Sequence, residues 1–316
     1  MTYIEREEPW GKLRYDLVKH KFSCIQCNGK NIVPYPQNPV VLNVDLTMKC
    51  NMDCLYCVTK DFKEAEDLVI SKKLVDWINK SPFMAVVITG GEPLLPEYEK
   101  QLILLLRKIE NKGLIIDTNG TIFPNNSVIE AIIDSRALVR ISCDATRPDD
   151  EIHYRHIKPF SNLNREENLK YYYRKRDMIK YMHSEGVNVA IQSVAINQNR
   201  KSLEDMPSLL KTYSINRWYI QRFIPSYKAI RRKLGFSYGE YDQFVDNLTK
   251  RCNKMNIELV TKKDRRHNCV VLLVGDGIVY TQGEKPGQKL QIGTIHSKIR
   301  YFDYLSSADH AERYYS

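Results

Sequence analysis

The sequence predicts an α/β fold built around a parallel sheet, on three observations. From about residue 40 onwards, short apolar runs alternate with longer segments of helical period. The runs "MAVVI" and "LIIDT" are continuously apolar, as expected of strands covered on both faces. The chain has 316 residues, 43% hydrophobic and 27% charged, enough for a large core in one big domain or a main domain with appendages.

"VVLNVDL" (40 to 46) is the first β-rich run, and it ends just before a group of cysteines. "SKKLVDWINK" (71 to 80) places Leu74, Trp77 and Ile78 on one helical face. "MAVVITGGEP" (84 to 93) reads as a strand stopping at a Gly-Gly turn, and "YEKQLILLLRKIENKG" (98 to 113) as a helix closed by Gly113. The rhythm continues through "LIIDTNG", a helix around 127 to 135, "ALVRISCDA", and a long helix from roughly 165 to 185. It ends with "VNVAIQSVAIN", a helix from roughly 202 to 212, and "RWYIQRFIP". Six strands alternating with helices imply a parallel sheet joined by right-handed crossovers, with its chemistry on the loops after the strand C-termini.

Residues 1 to 40 are less regular and form an N-terminal extension with its own Cys-x-x-Cys, Cys24 and Cys27; the prolines of "VPYPQNP" favour an extended linker. Beyond about 226 the alternation lapses into a basic loop, an amphipathic helix "EYDQFVDNLTKRCNKM", then "IELVTK" and "CVVLLVGDGIVYTQG". The N-terminus lacks an apolar signal region and no apolar run is long enough to span a bilayer, so the expected location is the cytoplasm, without membrane partners. A net charge of +10 suits an anionic partner or a solvated basic surface; nucleic acid is a less favoured partner. "YYYRKR" (171 to 176) and "YKAIRRK" (227 to 233) are the local concentrations of basic charge, and the first reads as one solvated face of the long helix.

Eight cysteines are too sparse for a disulfide scaffold, and in a reducing compartment clustered cysteines bind metal or do redox chemistry. "KCNMDCLYC" (49 to 57) brings Cys50, Cys54 and Cys57 together without a fourth. A structural zinc needs four ligands, whereas three thiolates on a four-iron cube leave one iron open to a substrate or cofactor. A zinc site with a remote fourth ligand would look similar. In "TGGEPLL" (89 to 95), Gly90 and Gly91 permit a tight turn and close approach, and Glu92 offers a carboxylate to an ammonium group.

With both motifs in this order, residues 41 to 225 resemble the radical S-adenosylmethionine (SAM) superfamily. Cys50-x3-Cys54-x2-Cys57, with Tyr56 before the last cysteine, matches the family's cluster loop, and "GGEP" its methionine-binding turn. The resemblance implies a partial (β/α)6 barrel of the TIM type, with an N-terminal extension and a small C-terminal α+β extension over 226 to 316. It also implies a [4Fe-4S] cluster on Cys50, Cys54 and Cys57, and SAM held by Gly90, Gly91 and Glu92. Asn119, Ser142, Asp144, Gln192 and Arg222 are the softer cofactor-side matches, with Gln221 beside them. Reductive cleavage of SAM would give a 5'-deoxyadenosyl radical that abstracts substrate hydrogen, with flavodoxin or ferredoxin as reductant; no catalytic acid or base stands out.

The segment 269 to 295 resembles part of the C-terminal SPASM or twitch module, except that Thr281 stands where that pattern has a cysteine after "DG-x-V-Y". An auxiliary cluster or a zinc could instead draw on Cys24, Cys27, Cys269 and Cys252, while Cys143 reads as a buried core thiol. Three functions follow: a radical SAM enzyme modifying a peptide or protein side chain, one acting on a nucleotide or tRNA, or a zinc-stabilised nucleic-acid-binding protein.

Overall fold

The computed structural model of the protein describes residues 2–25, 36, 38–57, 59, 66–157, 165–223, 234–262, 270–282 and 289–301, and the elements below are those of the described residues. The chain begins with an antiparallel sheet, β1 (Tyr3–Glu8), β2 (Gly11–Asp16) and β3 (Lys21–Ile25). The extension, expected to be irregular, is therefore a folded unit. Its first two strands are charged, and the ion pair of Arg14 with Glu5 at 2.6 Å ties β2 to β1.

All six expected strands form: β4 (Val41–Thr47), β5 (Ala85–Gly90), β6 (Gly113–Thr118), β7 (Leu138–Ser142), β8 (Asn188–Ala195) and β9 (Arg217–Arg222). They are parallel and lie side by side in chain order. The helices between them are α1 (Lys72–Lys80), α2 (Glu99–Lys108), α3 (Asn126–Asp134), α4 (Pro148–Ile152), α5 (Arg165–Ser184), α6 (Arg200–Glu204) and α7 (Met206–Thr212). Side-chain caps fix two of the starts: Ser71 accepts from the Leu74 N–H at 3.2 Å and Asn125 from the Val128 N–H at 3.0 Å. The expected helix at 202 to 212 is broken at Asp205, with Pro207 in the first turn of the second piece.

The C-terminal segment extends this sheet. After α8 (Tyr238–Lys254), β10 (Glu258–Lys262) lies parallel to β9, while β11 (Val270–Val274) lies parallel to β4 at the other edge. Antiparallel β12 (Ile278–Gln282) and β13 (Lys289–Thr294) complete a ten-stranded, mostly parallel sheet. Its two ends, β10 and β13, do not pair, so the barrel stays open among the described residues. No described helix is long and apolar enough to cross a membrane.

Alternate strand residues, such as Leu42, Val44, Val86 and Ile88, pack under the helices in the main core. The opposite face carries an apolar layer of Val87, Ile115, Leu138, Ala190 and Tyr219. Two residues further along β6 and β7, Asp117 and Arg140 form a two-pronged ion pair at 2.6 and 2.8 Å, with the guanidinium 5.0 Å from the centre of the Tyr219 ring.

The N-terminal sheet caps the end where the parallel strands begin. Leu13 and Tyr15 pack with Val40, Met84 and Ala85, and Arg6 donates to the carbonyls of Asn38, Pro39 and Pro82. This cap corrects the reading of Gly113 as a helix terminus. The helix ends at Lys108, and Gly113 opens β6, where a β-carbon would lie 2.0 Å from the Tyr15 ring. The basic stretch on α5 is corrected too: Lys175 and Arg176 are buried, because they face Glu151 and the Thr146 carbonyl, while Tyr173 is exposed. "YKAIRRK" lies outside the described residues.

Candidate functional site: a three-cysteine loop over the strand ends

The cysteine loop leaves the C-terminal end of β4 and is pinned from two sides. On one side is the turn after β5, where the Gly91 N–H donates to the Thr47 carbonyl at 2.6 Å and the Glu92 N–H to the Lys49 carbonyl at 2.9 Å. Neither glycine can be replaced without moving the loop. A β-carbon on Gly90, whose φ is +118°, would lie 2.3 Å from the Thr47 carbonyl oxygen, and one on Gly91 would lie 1.9 Å from that of Lys49. On the other side is the segment after α4: Asp53 N–H donates to the His156 carbonyl at 2.7 Å and Leu55 N–H to that of Tyr154 at 2.8 Å.

Cys54 is buried, and Cys50 and Cys57 are partly so. The Cys50 sulfur accepts from the Met52 N–H at 3.4 Å and faces the Asn119 amide at 3.7 Å; the Cys57 sulfur lies 2.8 Å from the Thr59 hydroxyl. Burial pushes the Cys50 thiol up to about 12, with the Glu92 carboxylate adding to it, and the Cys54 thiol up to about 11. Thiols so reluctant to ionise become thiolates only against strong positive charge, which a metal–sulfur core supplies. Among the described residues no group of three or more His, Cys, Asp or Glu side chains could hold a metal ion, these three cysteines included. The fit to a four-iron cube rests on the donor set: three cysteine sulfurs on one short loop are the thiolate ligands such a cube takes, with one iron left open.

Around the loop, Glu92 is wholly buried and accepts from the Leu94 N–H at 3.0 Å, the Thr118 hydroxyl at 2.7 Å and the Asn119 N–H at 2.7 Å. Burial raises it to about 6 despite those bonds. Asp144, just past β7, accepts from the Tyr56 hydroxyl, from the Val194 N–H at 2.6 Å and from Arg155 at 2.9 Å. Burial holds this carboxyl above its usual range, and the Arg155 charge opposes that.

The structure thus gathers Cys50, Cys54, Cys57, Tyr56, Gly90, Gly91, Glu92, Asn119 and Asp144 at the strand C-termini, with Ser142 closing β7. Gln192 sits deeper, its amide 3.5 Å from Asp117 and its buried carbonyl oxygen without a hydrogen-bond partner. Arg222 closes β9 and donates to the Phe236 carbonyl at 3.3 Å. Of the cysteines expected for a second cluster or zinc, the two that are described lie in different parts of the fold. Cys24 lies on β3, opposite Leu13 in the cap at the other end of the strands, and Cys252 is enclosed on α8 in the main core. Cys27 and Cys269 lie outside the described residues. Cys143 is buried as expected, and Thr281 is buried on β12.

Three features had no sequence signal of their own. One is Arg155; another is the Asp117–Arg140 pair. The third is a small cleft lined by Met52, Thr121, Arg155 and Tyr172, with the buried Lys175–Glu151 ion pair in its wall. Each depends on residues far apart in the chain.

A family model described as the radical SAM superfamily matches residues 44–210. The chain belongs to the radical SAM superfamily. Its members work with a [4Fe-4S] cluster and SAM, and the chain is accordingly an enzyme. A 7-carboxy-7-deazaguanine synthase of Clostridium acetobutylicum is 28% identical over 138 residues, 43% of this chain and 56% of that one. A GTP 3',8-cyclase of Petrotoga mobilis is 31% identical over 116 residues, 34% of this chain and 35% of that one. The chain therefore spans between about a third and just over half of the length of these curated relatives. In fold it resembles SuiB of Streptococcus suis bound to S-adenosylmethionine, with a TM-score of 0.68 and 12% identity over 96% of this chain and 87% of that one. Against the same protein bound to precursor peptide SuiA the TM-score is 0.63, over 88% and 81%.

Proposed function

We propose that this radical SAM enzyme abstracts hydrogen from a peptide or protein side chain, with Cys50, Cys54 and Cys57 holding the cluster. When bound, the cluster and SAM supply the electron transfer and sulfonium cleavage that start the reaction. Glu92 is assigned to the methionine ammonium. An ionised carboxylate has about four acceptor sites, and the three bonds Glu92 makes leave room for one more. With its carboxyl raised only to about 6, Glu92 is ionised at neutral pH, and its charge is strongest in so dry a site. Ser142, Asp144, Asn119 and Gln192 are assigned to the rest of the cofactor, and Arg222 to cofactor or substrate.

The extent of the fold likeness carries the peptide reading. It reaches 96% of the chain for a protein also solved with a precursor peptide, and the sequence match to a GTP 3',8-cyclase covers 34% of the chain. That shorter match favours a second reading, a nucleotide substrate taken in the same site. An isotope test separates the two. Reconstituted protein, SAM and dithionite are incubated with peptide or nucleotide fractions from cells grown on deuterated nutrients, and 5'-deoxyadenosine is weighed by mass spectrometry. Deuterium arriving from the peptide fraction is the expected result; deuterium arriving only from the nucleotide fraction overturns the peptide reading.

A further inference from the structure

We infer that Arg155 is the charge partner of the cluster at Cys54, held there by a two-stranded ladder, and that it raises the cluster's reduction potential. The inference rests on the assignment of the cluster to Cys50, Cys54 and Cys57.

The register makes the case. Met52 and Ile157 form an antiparallel bridge, and the bonds from Asp53 N–H to the His156 carbonyl and from Leu55 N–H to the Tyr154 carbonyl continue the same register. Cys54 therefore faces Arg155. Because the pairs on either side of them carry the hydrogen bonds, Cys54 and Arg155 form a non-hydrogen-bonded pair. In such a pair both side chains leave the same face and approach most closely.

The guanidinium is buried, its side chain 10% exposed, and it bonds Asp144 at 2.9 Å through Nη1, while Nε has no hydrogen-bond partner. Asp144 only partly cancels the cation, since it shares its own charge with the Tyr56 hydroxyl and the Val194 N–H. A fixed positive charge in a dry site favours whichever neighbouring state is more negative, here the cluster carrying one more electron. Arg155 is thus a positioning and tuning residue; it undergoes no chemistry.

The test is an EPR-monitored redox titration of the reconstituted full chain, without SAM, using dithionite and mediators, with iron counted per chain. Arg155→Gln should lower the reduced-to-oxidised ratio at fixed poise about tenfold, a shift of about 59 mV for a one-electron couple. Arg155→Lys should restore most of it, which a merely structural role would not do. Asp144→Asn should shift the potential the opposite way, and it decides the matter alone if Arg155→Gln fails to load iron. Arg155→Gln with full iron and a ratio within about twofold of wild type, or Asp144→Asn with an unchanged or lowered potential, overturns the inference. Wild-type protein that takes up no cluster would instead overturn the assignment of the three cysteines.

Discussion

Replacing Gly91 by alanine tests how the cysteine loop is held. The new β-carbon would sit 1.9 Å from the Lys49 carbonyl oxygen, 2.4 Å from its carbon and 2.9 Å from that of Met48, all backbone. A flexible side chain could swing away; the loop backbone has to move as a body. Overpacking of this kind costs about 1–3 kcal/mol. The displacement also strains the bonds from Gly91 N–H and Glu92 N–H to the loop, each worth about 0.5–1.5 kcal/mol. The expected loss is therefore about 2–6 kcal/mol, which at roughly 2 °C per kcal/mol in a chain of this size lowers Tm by about 4–12 °C. Since the loop carries all three cysteines, iron per chain after anaerobic reconstitution should fall with it. Gly186→Ala is the control, because Gly186 has φ +79° with nothing within 4 Å of a β-carbon. It should cost only backbone strain of about 1–2 kcal/mol and leave iron loading intact. Gly91→Ala with full iron and a Tm no lower than the control would refute the argument.

Asp45, buried on β4, is pushed up to about 7 by burial, with Lys289 opposing. Its folded pKa exceeds the unfolded one, so its contribution is full below about pH 4 and lost as pH rises through about 7. Asp45→Asn should therefore raise the Tm of metal-free protein more at pH 8 than at pH 5, and parallel Tm curves would refute this. Tyr15→Ala should cost about 3–5 kcal/mol by hollowing the cap beneath the strands, with iron loading unchanged; an unmoved Tm tells against the cap. Lys175→Met should cost about 3–5 kcal/mol by stranding buried Glu151, and a Lys175→Met/Glu151→Leu double variant should recover most of it in thermal melts. Alanine at Cys50, Cys54 or Cys57 should abolish release of 5'-deoxyadenosine; retained turnover would argue against the cluster assignment.

What could be read from the sequence was local. The six parallel strands announce themselves because burial on both faces leaves an uninterrupted apolar run, and the three cysteines because their spacing fits within one loop. The N-terminal sheet carries no comparable signal because "YIEREE" and "GKLRYD" are stabilised across strands by pairs such as Arg14 with Glu5, and their weak alternation is masked by charge. Gly113 looked like a helix end because nothing in its own neighbourhood shows that Tyr15, almost a hundred residues earlier, lies against it. Arg155 is the extreme case. In "EIHYRHI" it is one more basic residue, and only the ladder between 52–55 and 154–157 places it opposite Cys54.

The cap and the ladder answer one physical requirement from opposite ends of the sheet. A site that runs reactive chemistry has to be kept dry, yet the described strands stop short of a closed barrel. At the end where the strands begin, Tyr15 and Leu13 close the gap with apolar bulk beneath the layer of Val87, Ile115, Leu138, Ala190 and Tyr219. At the other end apolar bulk alone would not serve, because ionised thiolates in a dry site need compensating charge. There the chain places Arg155, Asp144 and Tyr56 in one hydrogen-bonded set beside the cysteine loop. Water is excluded from the floor by hydrophobic packing and replaced near the loop by fixed polar partners, so the polarity of the two ends follows from what each has to hold.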